Sequence, residues 1–411
     1  MAMRILLITQ YYPPETGAPQ NRLSDLAKRL TALGHEVTVL TALPSYPKGE
    51  IFPNYRGRLM VEEDDQGIQV VRTWAYATKS KGFFPRIINY LSFALLAIPF
   101  GWVATEDADI VFVESPPLFL GFSGYLLSKL KRAKFTLNIS DLWPESAVVL
   151  GVLRNRALIR LATWGEEWLY RHSSLVTGQT KGIVDSIRAR APETSTHLLT
   201  NGVSPEFLEN IDSSRAIRGR LRQKFDFGER FIVLYAGVHG LAQGLDTLLR
   251  SAEILQEEKE IRFCFFGDGP EKERLQDLAK SRSLHNVQFF QPLPVSEMAQ
   301  LLVSVDAVIV PLKRDELFKG ALPSKLFEAL GSGVPVVACV AGEAMELVRK
   351  SEGGLVAEPE NPTDLAEKIL ELHRNPTLRN KLGANGTTFV RTQYNRAQIA
   401  KKCEMLISSL Q

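Results

Sequence analysis

The chain has 411 residues, more than one ordinary core accommodates and enough for two domains. Hydrophobic residues make up 45%, charged residues 23%, and the net charge is only +3, so it reads as globular and lacks the basic excess of a nucleic-acid binder. Cys264, Cys339 and Cys403 are far apart, which argues against a disulfide framework and for reduced structural thiols in a cytosolic protein. The opening MAMRILLIT enters a strand almost at once and has no signal-peptide layout.

Arg4–Thr9 is expected as a buried strand and Asn21–Leu33 as an amphipathic helix with Leu23, Leu26, Ala27 and Leu30 on one face. Gly34 stops it, and Val37–Leu40 is the next strand. Strand, helix, strand predicts an α/β fold with a parallel, doubly wound sheet. The first turn, QYYPPETGAPQ over 10–20, carries Gly17 alone where a dinucleotide-binding chain would show GxGxxG. Ligands bind at such loops, and Gly17 leaves room for close backbone approach; a simple surface loop is the alternative.

Lys79, Lys81 and Arg86 precede Tyr90–Ala104, an apolar run interrupted by Pro99 and Gly101 and shorter than the ~20 residues of a membrane span. A basic flank followed by Phe, Leu and Trp predicts that residues 79–104 lie in a membrane interface; a buried helix is the alternative. Ala108–Glu114 is a strand and Pro117–Leu130 a helix. Asp107 and Asp109 spell a DxD, but they precede their strand, at the wrong edge to reach a diphosphate through a divalent cation, so no metal is expected. Phe135–Ile139 leads into SDLWPES, which puts Asp141, Trp143 and Glu145 at the ligand edge. Asp141 suits an acceptor-orienting group or base, Trp143 a stacking surface and Glu145 a second carboxylate; a helix N-cap is the plainer role for Asp141. Leu175–Thr177, a helix near Gly182–Arg190 and His197–Leu199 complete a domain over 1–200. Asn201-Gly202 supplies linker chemistry.

Phe231–Ala236 restarts the alternation in a second domain over 203–393. Its first turn, GVHGLAQGLD, contains Gly237, His239, Gly240, Gln243 and Gly244, and the glycines permit close backbone approach. Phe263–Phe266 runs into Gly267-Asp268-Gly269-Pro270, where Asp268 is equally a turn residue. Val287–Phe290 and Asp306–Val310 continue the sheet. Leu317–Cys339 then reads as a loop, a short helix, a glycine turn and a buried strand. Pro323 suits the first helical position, so Ser324, Lys325 and Leu326 fall in the first turn, where N–H groups lack intrahelical partners. That end, with a lysine on it, is an anion site, and Glu328 beside it suits ribose hydroxyls; a solvated αβ unit is the alternative.

PSKLFE, DLWPES and AQGLD together resemble retaining glycosyltransferases of the GT4 type, which have the GT-B fold. Within them they resemble the branch that transfers N-acetyl-fucosamine or related amino sugars in envelope polysaccharide synthesis. The family's usual signature is two glutamates eight positions apart; Glu328 matches the second, and the first falls at Gly320. An Arg and a Lys that usually face the diphosphate correspond to about Val238 and Gln243, so Lys325, helped by His239, Lys313 or Arg314, is implied to carry the charge. The resemblance implies two Rossmann-like domains facing each other across a cleft, closure about Asn201–Val203, and a last helix within 394–411 that returns to the first domain. It implies a donor site from Gly17, Gly237, His239, Gln243, Gly267, Asp268, Gly320, Leu322, Ser324, Lys325 and Glu328. Trp143 and Glu145 are implied to hold the acceptor, and Asp141, Lys325 and Glu328 to serve catalysis. The implied partners are a UDP-sugar, a polyprenyl-diphosphate-linked saccharide and the inner face of the cell membrane, with no nucleic acid, metal or other cofactor. A sugar-nucleotide 2-epimerase of the same fold and a degenerate, non-catalytic binding protein are the alternatives. The apolar run opposes the first, and the departures at Gly320, Val238 and Gln243 favour the second.

Overall fold

The computed structural model describes residues 2–80, 82–149 and 153–411, so Lys81 of the expected basic flank lies outside the described residues. The chain divides into two compact units, Met1–Asn201 with Arg396–Gln411, and Gly202–Asn395.

The first unit holds an eight-stranded sheet in the order β3-β4-β2-β1-β5-β6-β7-β8. Its strands are β1 (Arg4–Ile8), β2 (Glu36–Ala42), β3 (Met60–Asp64), β4 (Gln69–Thr73), β5 (Ile110–Ser115), β6 (Lys134–Ile139), β7 (Leu175–Gly178) and β8 (Thr196–Leu198). All neighbours are parallel except the edge strand β3, which runs antiparallel to β4. The β3–β4 hairpin is absent from the sequence expectation. Its turn residues Gln66 and Gly67 both have positive φ, as a two-residue hairpin turn requires.

The helices of this unit are α1 (Ala18–Ala32), α2 (Phe83–Val103), α3 (Leu118–Leu130), α4 (Glu145–Val149), α5 (Arg156–His172) and α6 (Lys181–Arg190). Helix α1 starts three residues before the expected Asn21, with Pro19 in its first turn, where a missing N–H costs nothing. It shares one face of the sheet with the Arg396–Ser408 helix: Leu23, Leu26, Leu30, Ala400 and Ile407 pack on Ile5, Leu7 and Val39. Helices α2, α3, α5 and α6 cover the other face, with Phe93, Ala97, Leu127, Leu169 and Ile187 against Leu6, Ile8 and Val113.

Helix α2 corrects the expectation of a short apolar run. Helix geometry begins at Phe83, and Phe84–Val103 has the length and composition to cross a membrane. Asn89 does not interrupt it, because its side-chain amide donates to the carbonyl of Tyr76 at 2.7 Å. The helix packs Phe93, Ala97 and Gly101 on the sheet, so drawing it through a bilayer would dismantle that core.

The second unit holds a six-stranded, all-parallel sheet in the order β11-β10-β9-β12-β13-β14. The strands are β9 (Phe231–Ala236), β10 (Ile261–Phe266), β11 (Val287–Phe290), β12 (Ala307–Pro311), β13 (Val336–Cys339) and β14 (Gly354–Ala357). Helices cover both faces around two separate apolar clusters, the doubly wound arrangement with its order reversal between β9 and β12. Pro323 precedes the Ser324–Gly331 helix rather than occupying its first position, with an extended ψ of 129°. All three cysteines are free and buried, and burial pushes each thiol up to about 12, which leaves them unreactive.

Candidate functional site

In the second unit the carboxyl ends of β9, β10 and β12 bring the expected donor residues together. The loop after β9 lies on the loop after β10: the Gly237 N–H donates to the Phe266 carbonyl at 2.9 Å and the His239 N–H to the Asp268 carbonyl at 2.8 Å. A Cβ on Gly267 would stand 1.9 Å from the Gly237 carbonyl oxygen, so only glycine permits this contact. Lys272, which the sequence reading passed over, locks the same corner. Its buried ammonium donates to the carbonyls of Gly267 at 2.8 Å and Phe290 at 3.0 Å.

The Lys325 ammonium reaches over this loop from the start of the Ser324–Gly331 helix. It donates to the Tyr235 hydroxyl at 3.1 Å, and that hydroxyl donates to the Val238 carbonyl at 2.6 Å. Gly237 has φ 140°, and a Cβ there would stand 2.6 Å from Lys325 Nζ. Burial lowers the Lys325 pKa to about 8, with the Glu328 carboxylate pulling the other way, so the group remains cationic at neutral pH. The Leu326 N–H is closed onto the Pro323 carbonyl at 2.9 Å, and the Ser324 and Lys325 N–H groups have no backbone partner among the described residues, which leaves them available to an anion. Gly320 ends a 3₁₀ turn, Leu317–Gly320, in the segment that leads through Leu322 to this helix, and no carboxylate stands at that position. Gln243 ends the short turn Leu241–Gln243, with its amide folded toward Gly240.

Two expected contributors behave differently. His239 is fully buried among Tyr235, Phe265 and Phe289, with neither ring nitrogen partnered. Burial first, then the ammonium groups of Lys272 and Lys325, lower its pKa to about 4. It is therefore neutral at physiological pH and cannot help to neutralise a diphosphate. The Arg314 guanidinium pairs with Glu358, and the Arg314 backbone N–H donates to Glu360 at 3.0 Å, so the side chain is turned to an acid of its own surface. Asp268 acts within its turn, its Oδ1 accepting from the Gly269 N–H at 2.9 Å.

In the first unit, Gly17 caps α1 with extended backbone, and Asp141 follows the carboxyl end of β6. Asp141 is exposed on the surface of the unit, yet its carboxyl is partly desolvated by the residues around it. That desolvation raises its pKa to about 6, with the Glu145 charge adding to it, while the Ser146 hydroxyl and Leu142 N–H favour the carboxylate. Trp143 is half-buried and meets Phe119 edge-on at 6.0 Å. Glu145 is engaged: Arg190 Nη1 lies 2.9 Å from it and 2.7 Å from Glu166, whose buried carboxyl is pushed up to about 7, chiefly by desolvation. The same unit holds a buried network that sequence reasoning missed. Glu114 pairs with Arg22 and accepts from Asn138 at 2.6 Å, and Asn138 accepts from Thr177 at 2.7 Å. The available signal was a charge and an amide inside the apolar runs VFVES and TLNIS. Asp109 is tied to Arg4 at 2.9 Å at the amino edge of the sheet. A surface groove of about 440 Å³, lined by Arg4, Trp102, Asp107 and Lys131, lies at that same edge, remote from Asp141.

The family described as Glycosyl transferase 4-like domain matches residues 17–202, and Glycosyl transferases group 1 matches residues 218–389. The chain is 28% identical over 346 residues to the putative colanic acid biosynthesis glycosyl transferase WcaI of Escherichia coli, covering 80% of this chain and 82% of that protein. Among solved structures, sucrose-phosphate synthase from Thermosynechococcus elongatus matches with a TM-score of 0.75 at 19% identity, over 99% of both chains. Anabaena Alr3699/HepE in complex with UDP-glucose matches with a TM-score of 0.74 at 17% identity, over 99% of this chain and 100% of that one.

Proposed function

The chain belongs to the GT4-type glycosyltransferases of the GT-B fold, and from that premise we propose that it transfers a sugar from a UDP-sugar to a polyprenyl-diphosphate-linked saccharide during surface polysaccharide synthesis. The sugar is N-acetyl-fucosamine or a related amino sugar, transfer retains the anomeric configuration, and neither a metal nor another cofactor takes part. The observation that carries this reading is the Lys325 ammonium held against the Gly237 backbone at the start of the Ser324–Gly331 helix. As the bond from the anomeric carbon to the diphosphate oxygen breaks, the electron pair leaves with the diphosphate. Lys325 and the helix-terminal N–H groups stabilise the added charge without reorganising. Glu328 receives ribose hydroxyls, and Asp141 orients the acceptor hydroxyl and takes its proton as that oxygen bonds to the anomeric carbon on the face the diphosphate leaves, which retains the configuration. Similarity to a protein named for colanic acid synthesis supports the polysaccharide role, and a neighbour solved with UDP-glucose supports the donor class. Helix α2 lies in the membrane interface, and the enzyme works from the cytoplasmic side.

Calorimetric titration with UDP, with and without EDTA, tests this. Micromolar binding indifferent to EDTA supports the reading, and loss of binding in EDTA overturns its metal-independent site. Binding of another nucleoside diphosphate instead keeps the enzyme class and replaces the donor. Donor binding without transfer to any lipid-linked acceptor favours the degenerate reading, to which the glycine at 320 points.

A further inference from the structure

We propose that the outer surfaces of α2, α3 and α5 form one bilayer-docking face, by which the first unit lies on an anionic phospholipid surface; this rests on the interfacial reading of α2 and extends it to two more helices. On α2, Ile88, Leu91, Leu95 and Trp102 recur at helical spacing on the side away from the sheet, and Leu95 is 65% exposed. No charged residue interrupts α2 after Arg86. Helix α3 continues the surface with Phe122, Leu126 and Leu130, four residues apart, all exposed. Helix α5 adds Leu158, Leu161 and Trp164, the last two 62% and 58% exposed.

These stripes belong to one rigid layer. Ser123 of α3 donates to the Ala94 carbonyl of α2 at 2.7 Å, and Phe122 of α3 stacks on Trp168 of α5 at 5.7 Å. Soluble surfaces seldom expose contiguous apolar patches of this kind without a partner.

The charges at its ends indicate which partner. Arg86, Arg156 and Arg160 are exposed where α2 and α5 begin, and Lys129 and Arg132 where α3 ends. Of the nearby acids, Glu167 lies 3.1 Å from Arg171, while Glu106 and Asp107 stay exposed just beyond the end of α2, so the basic rims are those where α2 and α5 begin and α3 ends. An apolar plate with tryptophans and basic rims matches a head-group region of anionic lipid. A second copy docked by the same patch would set these like-charged rims against each other. Docking by a sheet face lays the strands along the membrane plane. The loops at their carboxyl ends, including Asp141, then open at head-group level, where the diphosphate of a lipid-linked acceptor sits.

The test is flotation of the full chain with phosphatidylcholine vesicles, with and without phosphatidylglycerol. Leu161→Glu/Trp164→Glu on α5 should lower partition into the anionic vesicles at least about tenfold, and omission of phosphatidylglycerol should do the same to the unaltered chain. Melting temperature and UDP titration of the α5 variant should not change. If the α5 variant floats like the parent while Leu95→Glu is released, the three-helix face is wrong and the α2 reading stands. If both float like the parent, both readings fall. If the parent sediments as a dimer that the α5 variant splits, with flotation unchanged, the face is a self-interface and the proposal is overturned.

Discussion

Lys325→Met separates a binding role from a structural one, because the two move in opposite directions. Burial holds the lysine at about 8, below the ordinary lysine value of 10.5. At ~1.4 kcal/mol per pKa unit, keeping it charged costs the fold of the order of 3 kcal/mol at neutral pH. The sign follows from proton counting: between about 8 and the unfolded value the unfolded chain binds more protons, so the penalty is full below about 8 and fades as pH rises toward 10.5. Methionine keeps the apolar stem and removes the charge. The variant should therefore melt no lower than the parent at pH 7, and as much as several degrees higher. UDP affinity should fall, because a charge-assisted contact is worth about 1.5–3 kcal/mol, or ~10–150-fold in Kd. In the parent, affinity should stay level below about pH 8 and weaken above it as the ammonium loses its proton, whereas the variant should show no such decline. Differential scanning calorimetry at pH 7 and UDP titrations from pH 7 to about 9.5 measure both. Parent-like UDP affinity in Lys325→Met, or a parent affinity that ignores pH across that range, would refute the diphosphate role.

Asp141→Asn should reduce turnover by about 10²-fold or more with UDP affinity intact. Parent kcat/KM should rise with pH through about 6 as the carboxylate forms; a profile that is flat there in the parent counts against a working Asp141. Gly237→Ala forces a Cβ to 2.6 Å from Lys325 Nζ at a φ of 140°, so it should weaken UDP about tenfold and cost ~1–2 kcal/mol of stability. Unchanged titration and melting would show that the loop gives way freely. Arg190→Leu strands Glu166 in the interior and should cost about 3–5 kcal/mol near neutral pH. The raised carboxyl contributes stability while protonated and loses it as pH rises through about 7, so the melting deficit should be larger at pH 8 than at pH 5.5; an equal deficit at both would refute the buried-charge account.

The strand–helix alternation was legible because strands covered on both faces must be continuous apolar runs, and β1, β9, β10 and β13 are such runs. The hairpin β3–β4 was not, since an edge strand such as MVEED carries its charges outward and imitates a loop. Asn89 hid the start of α2 for a similar reason: its polarity suggests a boundary, but Tyr76 satisfies it. Within the candidate site, PSKLFE and the glycines of the β9 loop were readable because their chemistry is local. What escaped was set by partners distant in sequence. Tyr235, Phe265 and Phe289 enclose His239, Glu358 claims Arg314, and Arg190 claims Glu145. Each of these cancels a charge that an isolated motif would count as available. Once they are removed, the loop after β9 can offer a diphosphate backbone and no fixed cation. Lys313 packs its stem on Gly244 at one end of the loop, and the cation at Gly237 arrives from the facing helix, which requires space above the backbone. Glycine at 237 provides that space, and Lys325 fills it.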